Sequence, residues 1–475
     1  MSIRYTATET GVSSVIPSCA SRDSTVPPAQ RPPINVRVSV FFDGTGNNMF
    51  NTRARLERSQ SLDDSYVNDY SNVAKLAQYL TTVNTSNSFH FPVYVEGMGT
   101  LNDETDDTNG MGFGTFDRGI PARVISCTAH IKSRISEICR RTNRHITSLK
   151  FDSFGFSRGA AAARHFIYRA VIDTAFNVSL VTQLRTTLFS PITIDNVQFP
   201  FVGLFDTVAS YRPLGLMGPL GSITNDTREL ELDAINRPEV LKVFQIAAGE
   251  EHRMNFPLTD VRSAGRKGRQ LFLPGVHSDI GGGYNSEGDT REHLLPILEI
   301  QPSSSIDIWT IQERYKREMM HLVELGWYEW PINFSTFPNY DPDVPNSYFS
   351  DIIRVSRQNI KNNYSRIPLR LMAERAGQGS LLFNSLVHDN CLDDFLTSIY
   401  GLVTTGSSDR DYWANNYDPQ IKRLRKEYFH FSAHYTPRAG VARPMKPQFY
   451  SSVHHFRDTK ENILHGIRKR MVLPG

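Results

Sequence analysis

Apolar residues are concentrated in short runs that end on glycine-rich turns, and this pattern repeats along the first 290 positions. Val36 to Phe42 (VRVSVFF) is β-branched and aromatic and stops at DGTGNN, which predicts a strand and a tight turn. Phe91 to Glu96 (FPVYVE) repeats the arrangement and stops at Gly97. Ser148 to Phe154 (SLKFDSF) stops at GFSRG, and Gln198 to Phe205 (QFPFVGLF) runs into DTVAS. Leu241 to Ala248 and Gln270 to Pro274 predict a fifth and a sixth strand. Helical stretches lie between, among them Pro121 to Arg141 and Gly159 to Asp173. Strands that are nearly continuously apolar and alternate with helices predict an α/β fold, its mostly parallel sheet covered on both faces.

The periodicity changes on either side of this region. The first 34 residues are rich in Ser, Thr and Pro and predict a flexible arm. Residues 35–290 are expected to form the α/β domain, and 291–475 an accessory or lid region packed on it, mainly helical and irregular. Within that last part Ile308, Ile311, Tyr315, Met319 and Leu322 share one helical stripe, which Gly326 would stop. Basic clusters at Lys422 to Lys426 and Arg468 to Arg470 read as solvated faces, with contact to anionic lipid head groups as the alternative.

Composition narrows the classes. The chain has 475 residues, with 52 Lys+Arg against 49 Asp+Glu, a formal charge of +3, which lacks the basic excess of a nucleic-acid binder. Four cysteines without a CxxC pair make neither a disulfide framework nor a zinc site. No apolar run reaches the length of a membrane-spanning helix or of a signal-peptide core, so synthesis in the cytoplasm without a signal peptide is expected.

The chemistry concentrates at Gly155-Phe156-Ser157-Arg158-Gly159. This GxSxG follows a predicted strand and leads into AAAARHF, a run of small helix formers, which is the context of a nucleophile elbow. There the helix N-terminus directs N–H groups at a developing oxyanion, with the Arg158 amide as first donor. A serine nucleophile needs a base and an orienting acid. Asp206 in GLFDTVAS sits at a strand's C-terminal end and is the first candidate acid, with Asp260 as the alternative. His277 in LPGVHSDIGGGY is the candidate base, with His388 as the alternative. Gly44 and Thr45, in the turn after the first strand, are candidates for the second oxyanion donor.

Other chemistries fit poorly. DGTGN suggests an aspartyl phosphatase, but Phe41 stands where the first carboxylate would be. The glycines of 110–119 do not match GxGxxG. Asp103, Glu104, Asp106 and Asp107 lack EF-hand spacing and read as a solvated acidic loop rather than a Ca²⁺ site. No cofactor or metal is expected.

Five motifs in order, FFDGTGNN, YVEGMGT, FGFSRGAAAARHF, GLFDTVAS and PGVHSDIGGGY, resemble the bacterial α/β-hydrolase family containing the first class of type VI secretion lipase effectors. The resemblance covers roughly residues 35–290. It implies an α/β-hydrolase fold with Ser157 as nucleophile, Asp206 as acid and His277 as base. It also implies phospholipase A activity on membrane phospholipid, antibacterial action, and delivery by the secretion machine into the periplasm of a target cell. Its expected partners are a secretion-spike protein and a cognate immunity protein. An esterase for soluble or cell-wall esters, or a binding module on a hydrolase fold, are the competing expectations.

Overall fold

The computed structural model describes residues 31–58, 63–107, 118–175, 177–188, 196–210, 229–253, 255–285, 292–295, 320–329, 335–339, 350–357, 359–378, 381–383, 392–405, 409–414, 416–433, 470 and 472–475. The part of the expected stripe from Ile308 to Met319, the glycines from 110 to 117, His388, Arg468 and the first 30 residues lie outside the described residues.

Among the described residues of the first 290 there are eight strands: β1 (Pro33–Phe42), β2 (Val83–Asn84), β3 (Ser88–Val95), β4 (His145–Phe156), β5 (Val197–Phe205), β6 (Val243–Ala248), β7 (Leu258–Thr259) and β8 (Gly268–Leu273). Seven of them form one sheet in the order β2-β3-β1-β4-β5-β6-β8, parallel except for the short edge strand β2. All six predicted strands are present. A three-stranded antiparallel sheet joins β9 (Glu292–Leu295), β10 (Ser335–Asn339) and β11 (Ser350–Ser356), while β12 (Val472–Leu473) pairs in parallel with β7.

Burial along the strands explains their composition. The first residues of β1 alternate exposed and buried, and its last five are all buried; β4 also ends on six buried residues. The strands are therefore covered on both faces towards their C-terminal ends, where near-continuous apolar sequence is required. Two apolar cores result, one on each face. Val36, Val38, Val40 and Phe42 face the helices Ile120–Thr142, Arg158–Val171 and Leu180–Leu188. Phe41, Phe154, Phe201 and Phe244 face the helix Asn72–Tyr79 and the later chain.

That second core is completed by residues far along the sequence. Trp327, Leu369, Met372, Trp413, Ile421 and Phe429 are buried in it with the strand residues. The helices Arg366–Gly377, Asp394–Thr405, Arg410–Ala414 and Pro419–Glu427 account for much of the described later chain. Leu322, expected on the apolar stripe ending at Gly326, is indeed buried, and Gly326 takes a positive φ of 89°. Among the described residues no helix is long and apolar enough to cross a membrane.

The basic clusters depart from the expected solvated faces. Arg423 and Lys426 are about half exposed, but Arg425 is fully buried, its Nε 2.6 Å from Glu250 Oε1. Arg470 is buried as well, its side chain reaching the carboxylate of Asp206. Charge runs hid two internal cations because the sequence gives no hint of which member turns inward.

Candidate active site

Loops following β1, β4, β5, β6 and β8 gather at the C-terminal edge of the sheet. The strand order reverses between β1 and β4, and in open parallel sheets ligand sites form at such a reversal. Gly44 and Thr45 follow β1, while Ser157 follows β4. The two loops touch, since Arg158 Nη1 donates to Thr45 Oγ1 at 3.2 Å.

Ser157 sits between β4 and the helix Arg158–Val171 with φ 58° and ψ −125°. A non-glycine residue in this region costs on the order of 1–3 kcal/mol and persists only where its surroundings impose it. Here the Ser157 amide donates to Phe205 O at 3.0 Å, and its carbonyl accepts from Ala160 at 3.0 Å and Val208 at 3.3 Å. The neighbouring glycines make the bend possible. A Cβ on Gly155 would collide with the backbone of Gly159 and Ala160, and one on Gly159 with the carbonyl oxygens of Phe42 and Asp43. This is the strand–turn–helix context expected around GxSxG.

Asp206 occupies the equivalent place after β5 and is fully buried. His277 Nδ1 lies 2.5 Å from its Oδ2. The Ala248 amide donates to Oδ1 at 2.9 Å, and Arg470 donates to both oxygens, at 2.6 and 2.8 Å. Burial alone would raise the carboxyl pKa, but the Arg470 charge and the contact with His277 outweigh it and hold Asp206 below the usual range. The histidine is also perturbed. Burial lowers the His277 pKa, and the attraction of Asp206 offsets this only in part, so the imidazole is neutral near pH 7. With Nδ1–H given to the carboxylate, Nε2 is the ring's proton acceptor.

Packing holds the imidazole against the residue that precedes the bend. Its ring lies 4.7 Å from that of Phe156, the residue before Ser157, and 5.0 Å from that of Phe256. The His277 amide donates to Glu251 Oε2 at 3.1 Å, and Glu251 is itself paired with Arg253 at 2.8 Å. Glu251 is held strongly ionised: burial opposes this, and the Arg253 charge prevails.

The alternative acid has other partners. The Asp260 carboxylate accepts from the Arg262 side chain, from the Arg262 amide at 3.1 Å and from the Gly475 amide at 3.2 Å. The oxyanion candidates also separate. The Gly44 amide donates to Asp43 Oδ1 at 2.8 Å, so in this conformation its hydrogen is engaged. Thr45 lies one residue further along the same turn.

Several residues around the site were not singled out in the sequence. Arg470 was submerged in a charge run, and Asp43 entered only as a failed phosphatase aspartate. Glu250 and Glu251 come just after Gly249 at the C-terminal end of β6, and acids at a strand's C-terminal end, as Asp206 is after β5, are the signal that could have found them. Among the described residues no group of His, Cys, Asp and Glu is arranged to hold a metal ion.

Residues 179–299 match the family model described as T6SS, Phospholipase effector Tle1-like, catalytic domain, a stretch that contains Asp206 and His277 and begins after Ser157. No curated protein matches the chain. A solved structure described as the Tle1 effector bound to the VgrG spike from the Type 6 secretion system aligns over 94% of this chain and 95% of its own, at 21% identity and a TM-score of 0.58. A crystal structure of an uncharacterized protein from Pseudomonas aeruginosa aligns over 53% of this chain and 42% of its own, at 19% identity and a TM-score of 0.31. The motif resemblance thus stands: in sequence over residues 179–299, and in fold along nearly its whole length, this chain is similar to the Tle1-like effectors of type VI secretion.

Proposed function

We propose that this protein is a serine esterase that hydrolyses acyl esters of membrane phospholipids, a phospholipase A delivered by a type VI secretion system against competing bacteria. The observation that carries the reading is a strained Ser157 after β4, bonded to the loop after β5 in which Asp206 meets the imidazole that His277 brings from after β8. Neutral His277 accepts the Ser157 proton through Nε2 as the oxygen attacks the acyl carbonyl. Asp206 keeps Nδ1 protonated and stabilises the imidazolium. The Arg158 amide, at the start of its helix, and the Thr45 amide of the opposing turn hold the oxyanion. His277 returns the proton to the leaving alcohol, and water then releases the fatty acid by the same steps in reverse.

The phospholipid substrate and the export route follow from the likeness to Tle1-like effectors. In this reading the chain rides on a VgrG-type spike, acts in the target-cell periplasm and is blocked in its producer by an immunity protein. The test is fatty-acid release from phospholipid vesicles by purified protein and by Ser157→Ala. Release that depends on Ser157 supports the proposal. Full activity in the Ser157→Ala variant would remove the mechanism, and turnover of short soluble esters without attack on vesicles would remove the substrate assignment.

A further inference from the structure

We infer that Arg470, carried beside the segment 472–475 that straps the chain to β7, is the positioning residue of the Asp206–His277 couple. The inference rests on the triad reading above and adds a member drawn from 264 residues further along the chain.

Asp206 is a carboxylate with no access to water, and an unpaired carboxylate in that place costs several kcal/mol. Its oxygens have four donors: the Ala248 amide, His277 Nδ1 and both terminal nitrogens of Arg470. A guanidinium that grips both oxygens fixes the plane of the carboxylate as well as its charge. That plane determines the direction in which Oδ2 meets the imidazole, and hence how His277 is turned. Arg470 is in turn anchored, its Nε donating to Phe256 O at 2.7 Å and Nη1 to Ala248 O at 3.3 Å.

Backbone pairing delivers the arginine. Thr259 donates to the carbonyl of Thr207, the residue after the acid, at 2.9 Å. On its other side β7 pairs with β12, the Asp260 amide donating to Leu473 O at 3.0 Å. Gly475 completes the attachment through Asp260 Oδ1 at 3.2 Å. A short ladder therefore runs from the loop of the acid to the strap beside its cation. A merely solvated basic cluster needs none of these bonds.

Among the described residues the charged groups facing the couple include Arg470, Glu251 and Arg253, and Glu251 and Arg253 are paired with each other. Arg470 is the cation that bonds both oxygens of Asp206. With it removed, the buried carboxylate takes up a proton at higher pH, and a protonated Asp206 no longer holds His277 as a base.

The experiment compares wild type, Arg470→Gln, Arg470→Lys and Arg425→Gln on a p-nitrophenyl acyl ester, reading kcat and KM separately across pH together with thermal unfolding. Arg470→Gln is expected to lower kcat between about 10- and about 100-fold with KM little changed. The acid limb of its kcat/KM profile moves to higher pH, while Arg470→Lys keeps the limb near wild type and recovers part of kcat. Arg425→Gln, which breaks the buried pair after β6, lowers thermal stability without moving the limb. The inference is overturned by a folded Arg470→Gln with wild-type kcat and limb, or by an Arg425→Gln that moves the limb equally. If Arg470→Gln fails to fold, Arg470→Lys decides: wild-type kcat there excludes positioning by the two-pronged guanidinium. An active Ser157→Ala instead sinks the triad itself, which separates the two failures.

Discussion

Tyr94 donates its hydroxyl to Asp43 Oδ2 at 2.6 Å while accepting the Met49 amide at 2.9 Å. The other oxygen of Asp43 takes the Gly44 amide at 2.8 Å, and the Ser71 hydroxyl also reaches the carboxyl group. One buried aspartate therefore ties the turn after β1 to β3 and to the first residue of the next helix. Ser71 forms a bridge with Gly282, close to His277, so the network spans the loops that surround Ser157.

This network sets a pH dependence. Burial raises the Asp43 pKa to about 6, with the hydrogen bonds from Ser71, Tyr94 and Gly44 opposing. Because the folded value lies above the unfolded one, the contribution of Asp43 to stability is fully present below the unfolded pKa and is lost as pH rises through about 6. Asp43→Asn abolishes this titration. Its unfolding free energy relative to wild type should therefore improve by about 2 kcal/mol between about pH 4 and about pH 7.5. Urea unfolding of both proteins at the two pH values checks this, and a constant difference would contradict it.

The glycines of the bend give a steric prediction. In Gly159→Ala the new methyl meets the carbonyl oxygens of Phe42 and Asp43, and backbone atoms cannot swing aside as a side chain would. Overpacking of this kind costs about 1–3 kcal/mol, and the turn after β1 must shift with it. The variant should unfold earlier and label more slowly with a fluorophosphonate probe directed at Ser157. Gly377→Ala is the matching control, because nothing lies within 4 Å of its new methyl. It should leave labelling unchanged and stability equal or slightly higher.

The strand positions were legible because fully buried parallel strands must be apolar along their length, and each ended on a turn residue. The Ser157 bend was legible for a related reason: its crowding admits only glycine on either side. Arg425 and Arg470 were not, since burial of a cation depends on a distant carboxylate rather than on neighbours in sequence. The later chain was opaque for the same cause. Trp327, Met372 and Trp413 complete a core whose other half is formed by β-strand residues, so their own segments show no separate periodic pattern.

The buried pair of Arg425 and Glu250 makes a further test of that point. Arg425 also donates to the carbonyls of Leu325, Trp413 and Asn416, joining three segments of the later chain to the loop after β6. Removing one partner strands the other charge, so Glu250→Gln or Arg425→Gln should each cost about 3–5 kcal/mol. Replacing both at once should cost less than the sum of the single changes, which a double-mutant cycle by denaturant unfolding measures.

Asp206 and Asp260 can be separated by kinetics, because the structure gives them different partners. Asp206 alone of the two faces the His277 ring, whereas Asp260 is occupied with Arg262 and Gly475. An asparagine at 206 keeps the shape but presents an amide to Nδ1 or to Arg470, which favours the wrong imidazole tautomer. Asp206→Asn should therefore reduce kcat by about 10³- to about 10⁴-fold, as expected for loss of a triad acid. Asp260→Asn retains an oxygen able to accept the Gly475 amide and should stay within about threefold of wild type in kcat. The decisive measurement is single-turnover acyl-ester cleavage by both variants at one pH, with circular dichroism to show that each is folded. Equal losses in the two would transfer the acid's role away from Asp206, and with it the function assigned to Arg470.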